Sequence, residues 1–139
     1  DKILTSYKNL EFFYLGRKPD NFMPKNIKII EVKDEKGVIE ELCRADLYIT
    51  ASKFETGGNH IVEAMASSLP VLYHSDGGGI CDLSASYGYS YSNIEDFESK
   101  LSKMITNIEN KENTFDKFEG TLEDVCLEYV KCMETLVRN

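Results

Sequence analysis

The sequence has 139 residues, enough for one domain with a core of its own. Hydrophobic residues make up 42% and charged residues 29%, proportions that exclude a disordered chain. A net charge of −8, from 24 acidic and 16 basic residues with no long Lys/Arg cluster, repels polyanions and argues against nucleic-acid binding.

The first element in chain order is "LEFFYL" (10–15), an apolar and aromatic run ending at Gly16 that reads as a buried strand. A loop with two prolines, "GRKPDNFMPK", leads to a second strand in "NIKIIEV" (26–32). Asp34 then predicts an N-cap for a helix over about 35–44, with Val38, Ile39 and Leu42 on its inner face. "LYITA" (47–51) is the third strand, and "HIVEAMASS" has helix-forming composition. "PVLY" (70–73) is the fourth strand, opened by a proline, and "HSDGGG" reads as an open turn.

A short fifth strand is expected at "YSY" (89–91), where the alternation of Tyr87, Tyr89 and Tyr91 reads as a half-buried face. From about 94 to 109 the apolar stripe Ile94, Phe97, Leu101, Met104, Ile105 and Ile108 predicts an amphipathic helix. Asn93 with Asp96 resembles a capping box there. After a polar loop, a last helix over about 121–137 carries Leu122, Val125, Tyr129, Met133 and Leu136. Strands alternating with helices imply βαβ units. The expected architecture is α/β, a Rossmann-like three-layer domain with a mostly parallel sheet.

No apolar run approaches the ~18 residues of a membrane span, so no membrane span is expected. Cysteines at 43, 81, 126 and 132 form no C-x-x-C pair, and the two histidines sit at no metal-site spacing. Reduced, buried thiols and no metal are the expectation. The lack of an N-x-S/T sequon agrees with a cytoplasmic location. Residues 1–139 are expected to be a single domain and, starting at Asp1 without a methionine, a piece of a longer protein.

In open parallel sheets, ligands bind beyond the carboxyl ends of the strands. Two glycine clusters fall there, Gly57-Gly58 after the third strand and Gly77-Gly78-Gly79 after the fourth. Bare backbone and the start of a helix near Asn59 favour an anion. Glu55 and Glu63 flank this cradle with seven residues between them, and carboxylates accept hydrogen bonds from hydroxyls. A diphosphate held between two polyols fits that pattern. The ligand expected is a nucleotide sugar.

Residues 45–83, "ADLYITASKFETGGNHIVEAMASSLPVLYHSDGGGICDL", resemble the donor-binding C-terminal half of GT-B glycosyltransferases of the family 4 (group 1) type. The resemblance rests on the E-x7-E signature, the alanine-rich helix, the "LPVLY" strand and the "DGGG" turn in that order. It implies a retaining, hexosyltransferase-like enzyme that needs no metal or cofactor beyond its nucleotide-diphosphate sugar donor. It implies Glu55 as the catalytic carboxylate beside the donor sugar and Glu63 as the residue that holds the ribose. Gly57, Gly58, Asn59, His60, Gly78 and Gly79 are implied substrate-binding positions. An N-terminal acceptor-binding domain of the same protein is the implied partner.

The sequence departs from the family pattern at "ETGG", at Asp82 where a glutamate is usual, and in lacking the family's earlier strand with its basic pair. Arg17 and Lys18 follow the next strand instead. The fragment alone is therefore expected to bind donor and transfer nothing. Rival readings are a non-catalytic nucleotide-sugar-binding or scaffolding module and a GT-B-type nucleotide-sugar epimerase. A Rossmann oxidoreductase is disfavoured because no G-x-G-x-x-G opens a helix.

Overall fold

The computed structural model describes residues 3–121 other than 32 and 113, together with Leu127 and Val130. After a 3₁₀ turn at Ile3–Ser6, strands β1 (Phe13–Leu15) and β2 (Lys28–Ile30) pair in parallel, with Phe13 opposite Lys28. Strands β3 (Tyr48–Ile49), β4 (Val71–His74) and β5 (Gly88–Tyr91) form a second parallel sheet in that order. Parallel neighbours cannot be joined by a tight turn: a loop over 16–27 bridges β1 and β2, and helices make the connections of the second sheet. Helix α1 (Glu35–Leu42) precedes β3, α2 (Asn59–Ala66) links β3 to β4, and α3 (Gly79–Ser84) links β4 to β5. Helix α4 (Ile94–Glu109) follows β5. The α/β three-layer architecture is confirmed.

All four residues of β4 are buried, because the strand is covered on both faces. Val71 and Tyr73 face one way, into a cluster with Leu42, Ile61, Ala64, Met65 and Ile80. Leu72 faces the other way, against Tyr91, Leu101 and Met104. Tyr89 and Tyr91 both pack with the second cluster, as alternation requires, while Tyr87 precedes the strand and packs with the first. Phe115 and Phe118, from the polar stretch after α4, turn inward and meet Tyr89 and Tyr87 edge-on at 4.9 and 5.8 Å.

The predicted helix starts hold. The Asp34 carboxylate accepts the Gly37 N–H at 2.9 Å, and the Asn93 side chain accepts that of Asp96 at 2.9 Å. Asp96 reciprocates one residue further out, accepting the Ser92 N–H at 3.1 Å. Strands are shorter than the apolar runs suggested, at two to four residues.

Five expectations need correction. The first strand, read as buried, leaves Tyr14 exposed and Phe13 and Leu15 half-buried, because it pairs only with β2. Cys43, expected to be a buried thiol, is exposed at the C-cap where α1 has ended. Ile39 is 47% exposed, and the inner face of α1 instead runs through Val38, Glu41 and Leu42. Glu41 tolerates burial because Lys33 and Arg44 hold its carboxylate, Arg44 at 3.4 Å. The Lys33 hydrogen bond, with the nearby cations, outweighs desolvation and keeps the Glu41 pKa below the usual carboxylate value. Ile94 is 57% exposed, since the first residue of a helix projects back past the layer it caps. Finally, the turn after β4 closes at Gly78 and runs straight into α3, a helix hidden from the sequence by its poor helix formers. The last expected helix lies outside the described residues except for Thr121, Leu127 and Val130, the latter two helical and exposed.

Leu101 is fully buried between α4 and β4. Leu101→Ala should lower unfolding free energy by about 3 kcal/mol, read as a shifted denaturant midpoint at unchanged m.

Candidate active site

The loops that follow β3 and β4 are stitched together by backbone alone. Phe54 N–H donates to Asp76 O at 2.8 Å, Glu55 N–H to Gly77 O at 3.1 Å, and Gly79 N–H to Glu55 O at 2.8 Å. Glu55 and Gly78 form a one-residue parallel bridge. The approach is so close that a side chain at Gly78 would meet Glu55 O at 2.6 Å, and one at Gly79 would meet Thr56 O at 2.6 Å. Gly78 also has φ +68, a conformation costly for other residues. The glycines expected to line a ligand therefore also serve the fold, by letting two strand-end loops touch.

Lys53 extends this seam with an exposed ion pair, its Nζ 3.5 Å from Asp76. Phe54, beside it, is 83% exposed and has φ +59. The seam sets Glu55, half-buried, where the loop after β3 meets the turn after β4.

From this junction the chain passes Gly57 and Gly58 into α2. Gly57 has open space on its bare side, whereas a methyl group on Gly58 would come within 2.9 Å of His60 Nε2 and 3.3 Å of Ile80 Cδ1. Gly58 is the N-cap and no side chain caps the helix, so its leading N–H groups are left for solvent or a ligand. Asn59 is exposed and His60 half-buried.

His60 Nδ1 lies 3.0 Å from the hydroxyl of Tyr48 on β3. Burial first, then the negative charge of Glu63, then Tyr14 push the Tyr48 pKa up to about 12. Glu63, exposed and three residues after His60, thus stands close enough to act on the phenol that His60 touches. Tyr48 was not among the sequence candidates. A phenol inside an otherwise apolar strand was the available signal, because such a hydroxyl needs a partner.

His74 is structural: 8% exposed, its Nδ1 accepts the Asp76 N–H at 3.0 Å and its ring meets Tyr91 edge-on at 5.2 Å. Tyr91 in turn donates to Thr50 O at 3.1 Å, fixing the end of β3. Asp82 is exposed in the first turn of α3. Arg17 and Lys18 lie exposed in the loop after β1. Among the described residues, no group of three or more His, Cys, Asp or Glu side chains is placed to hold a metal ion. Nor is any helix among them long and apolar enough to cross a membrane.

A cavity of 260 Å³ opens at the opposite end of the sheet, where Pro70 and Tyr87 begin their strands and Phe115 and Phe118 form a wall. Neither Glu55 nor Glu63 lines it.

The family model "Glycosyl transferases group 1" matches residues 20–118, which span every element from β2 to α4. The chain belongs to that family. No curated protein matches it. Membership makes the chain a glycosyltransferase domain, and Glu55, Glu63 and both glycine clusters all lie inside the matched span.

Two outcomes test this geometry. Gly78→Ala in the glycosyltransferase domain should cost about 2 kcal/mol or more, seen in chemical denaturation, since it combines a left-handed backbone with contact against Glu55 O. Folding raises the Tyr48 pKa, so its contribution is complete below about pH 10 and is lost as pH rises towards 12. Tyr48→Phe should flatten that alkaline fall in the denaturation midpoint.

Proposed function

We propose that the crevice at the carboxyl ends of β3 and β4 binds a nucleotide-diphosphate sugar, and that the chain is the donor half of a retaining, hexosyltransferase-like GT-B enzyme. The observation that carries this reading is the backbone seam between residues 54–55 and 76–79. It holds Glu55, the open backbone of Gly57 and the start of α2 on one rim. In this reading the diphosphate takes the N–H groups of Gly57, Gly58, Asn59 and His60 at the positive end of the α2 dipole. Glu63 accepts hydrogen bonds from the ribose hydroxyls. Gly78 and Gly79 form the facing wall, and Glu55 lies beside the donor sugar.

The bond broken joins the anomeric carbon to the diphosphate. Charge grows on the leaving phosphate as it breaks, and pre-oriented N–H dipoles stabilise it without reorganisation. The carboxylate of Glu55 steadies the sugar, which becomes electron-poor at its anomeric carbon. An acceptor hydroxyl, brought by an N-terminal acceptor-binding domain, completes the transfer. The proposed mechanism routes no step through a metal or other cofactor. A cytoplasmic setting fits the free thiols Cys43 and Cys81, the latter donating to Ser75 O at 3.3 Å.

Isothermal calorimetry with nucleoside diphosphates tests the assignment. Glu63→Ala should weaken binding below detection. An affinity equal to that of the unmodified chain would contradict the ribose role.

A further inference from the structure

The contact between Tyr48 and His60 joins side chains from two elements at the edge of the cradle, and the donor-site reading leaves it without a role. Their 3.0 Å separation allows either group to donate. The surroundings decide between them. His60 is the sole hydrogen-bond partner of the Tyr48 hydroxyl among the described residues. If Nδ1–H donated, the phenol hydrogen would have no protein acceptor within hydrogen-bond distance among the described residues. If the phenol donates, both groups are satisfied and the ring hydrogen stays on Nε2. The nearby carboxylate of Glu63 on α2 and the phenol of Tyr14 on β1 both act against loss of the Tyr48 proton.

Nε2 itself lies over the N-cap, where only the missing side chain of Gly58 makes room for it. We infer that Tyr48 is a positioning residue: it holds the His60 imidazole as the Nε2–H tautomer and aims that N–H, a neutral donor, over Gly58 at the mouth of α2. The anion it would meet, the diphosphate of the donor, rests on the function proposed above, whereas the tautomer does not. A neutral N–H there adds a side-chain donor to the backbone amides without placing a mobile cation beside the leaving group.

Nitrogen-15 spectra of the ring nitrogens test the inference directly. The chain has two histidines, so His60→Gln assigns the signals by difference. His74, whose Nδ1 accepts a backbone N–H, serves as an internal reference for the same tautomer. At neutral pH His60 should show a bare Nδ1 and a protonated Nε2. Tyr48→Phe should move His60 towards a tautomer mixture and leave His74 in place. A protonated Nδ1 in the unmodified chain, or an unchanged His60 in Tyr48→Phe, overturns the inference.

Titration with uridine, guanosine and adenosine diphosphates in turn adds the ligand arm. The His60 Nε2 signal should shift on saturation, and Tyr48→Phe should bind about tenfold more weakly, as expected for a misdirected hydrogen bond to a charged group. His60→Asn should lose more affinity than His60→Gln, whose amide N–H reaches nearer the Nε2 position. Binding with no change at Nε2 would overturn the ligand role. Failure of the unmodified chain to bind any of the three diphosphates, with the tautomer as stated, would sink the donor-site reading while upholding the Tyr48–His60 assignment.

Discussion

The candidate site depends on three backbone hydrogen bonds that tie residues 54 and 55 to the turn at 76–79. Each is worth on the order of 1 kcal/mol net, so the seam is modest in energy and strict in geometry. It works without side chains, which is why Gly78 and Gly79 must be glycine whatever else they touch. Because the seam is made by main chain, the position of Glu55 follows from the path of two loops and not from its own contacts. Gly57, Gly58 and α2 then follow within a few residues.

Beneath the seam, β4 anchors the candidate site. Buried on both faces, it fixes α2 and α3 on one side and α4 on the other, and its last residue, His74, hands the chain to the glycine turn. Parallel pairing points the ends of β3 and β4 the same way, so the loop after β3 and the turn after β4 reach the same rim. The chain is acidic overall, yet the rim offers N–H donors from backbone and from helix α2. On the donor-site reading, local dipoles and not net charge would attract the anion.

Much of this was legible in the sequence because its causes are local. Helix α4 follows from an unbroken 3.6-residue stripe, and its start from Asn93 and Asp96, groups that meet within one turn. The glycine clusters and the carboxylates flanking the first were visible at the ends of apolar runs. What escaped depends on contacts between distant residues. Glu41 is inside because Lys33, eight positions earlier, folds back to meet it. Helix α3 forms from glycine-rich sequence because the seam holds its first residue. Tyr48 and His60 are twelve residues apart, on a strand and a helix, and periodicity within either element does not announce their meeting.

Phe54 shows what the rim tolerates. A bulky residue in a left-handed backbone, with its ring turned to water, loses on both counts, and glycine would adopt the same shape without steric cost. Selection for heat resistance alone would remove that ring early. A lineage pressed in that direction would gain a tougher domain and surrender the exposed aromatic surface beside Glu55, so durability and the character of that surface pull against each other at a single codon.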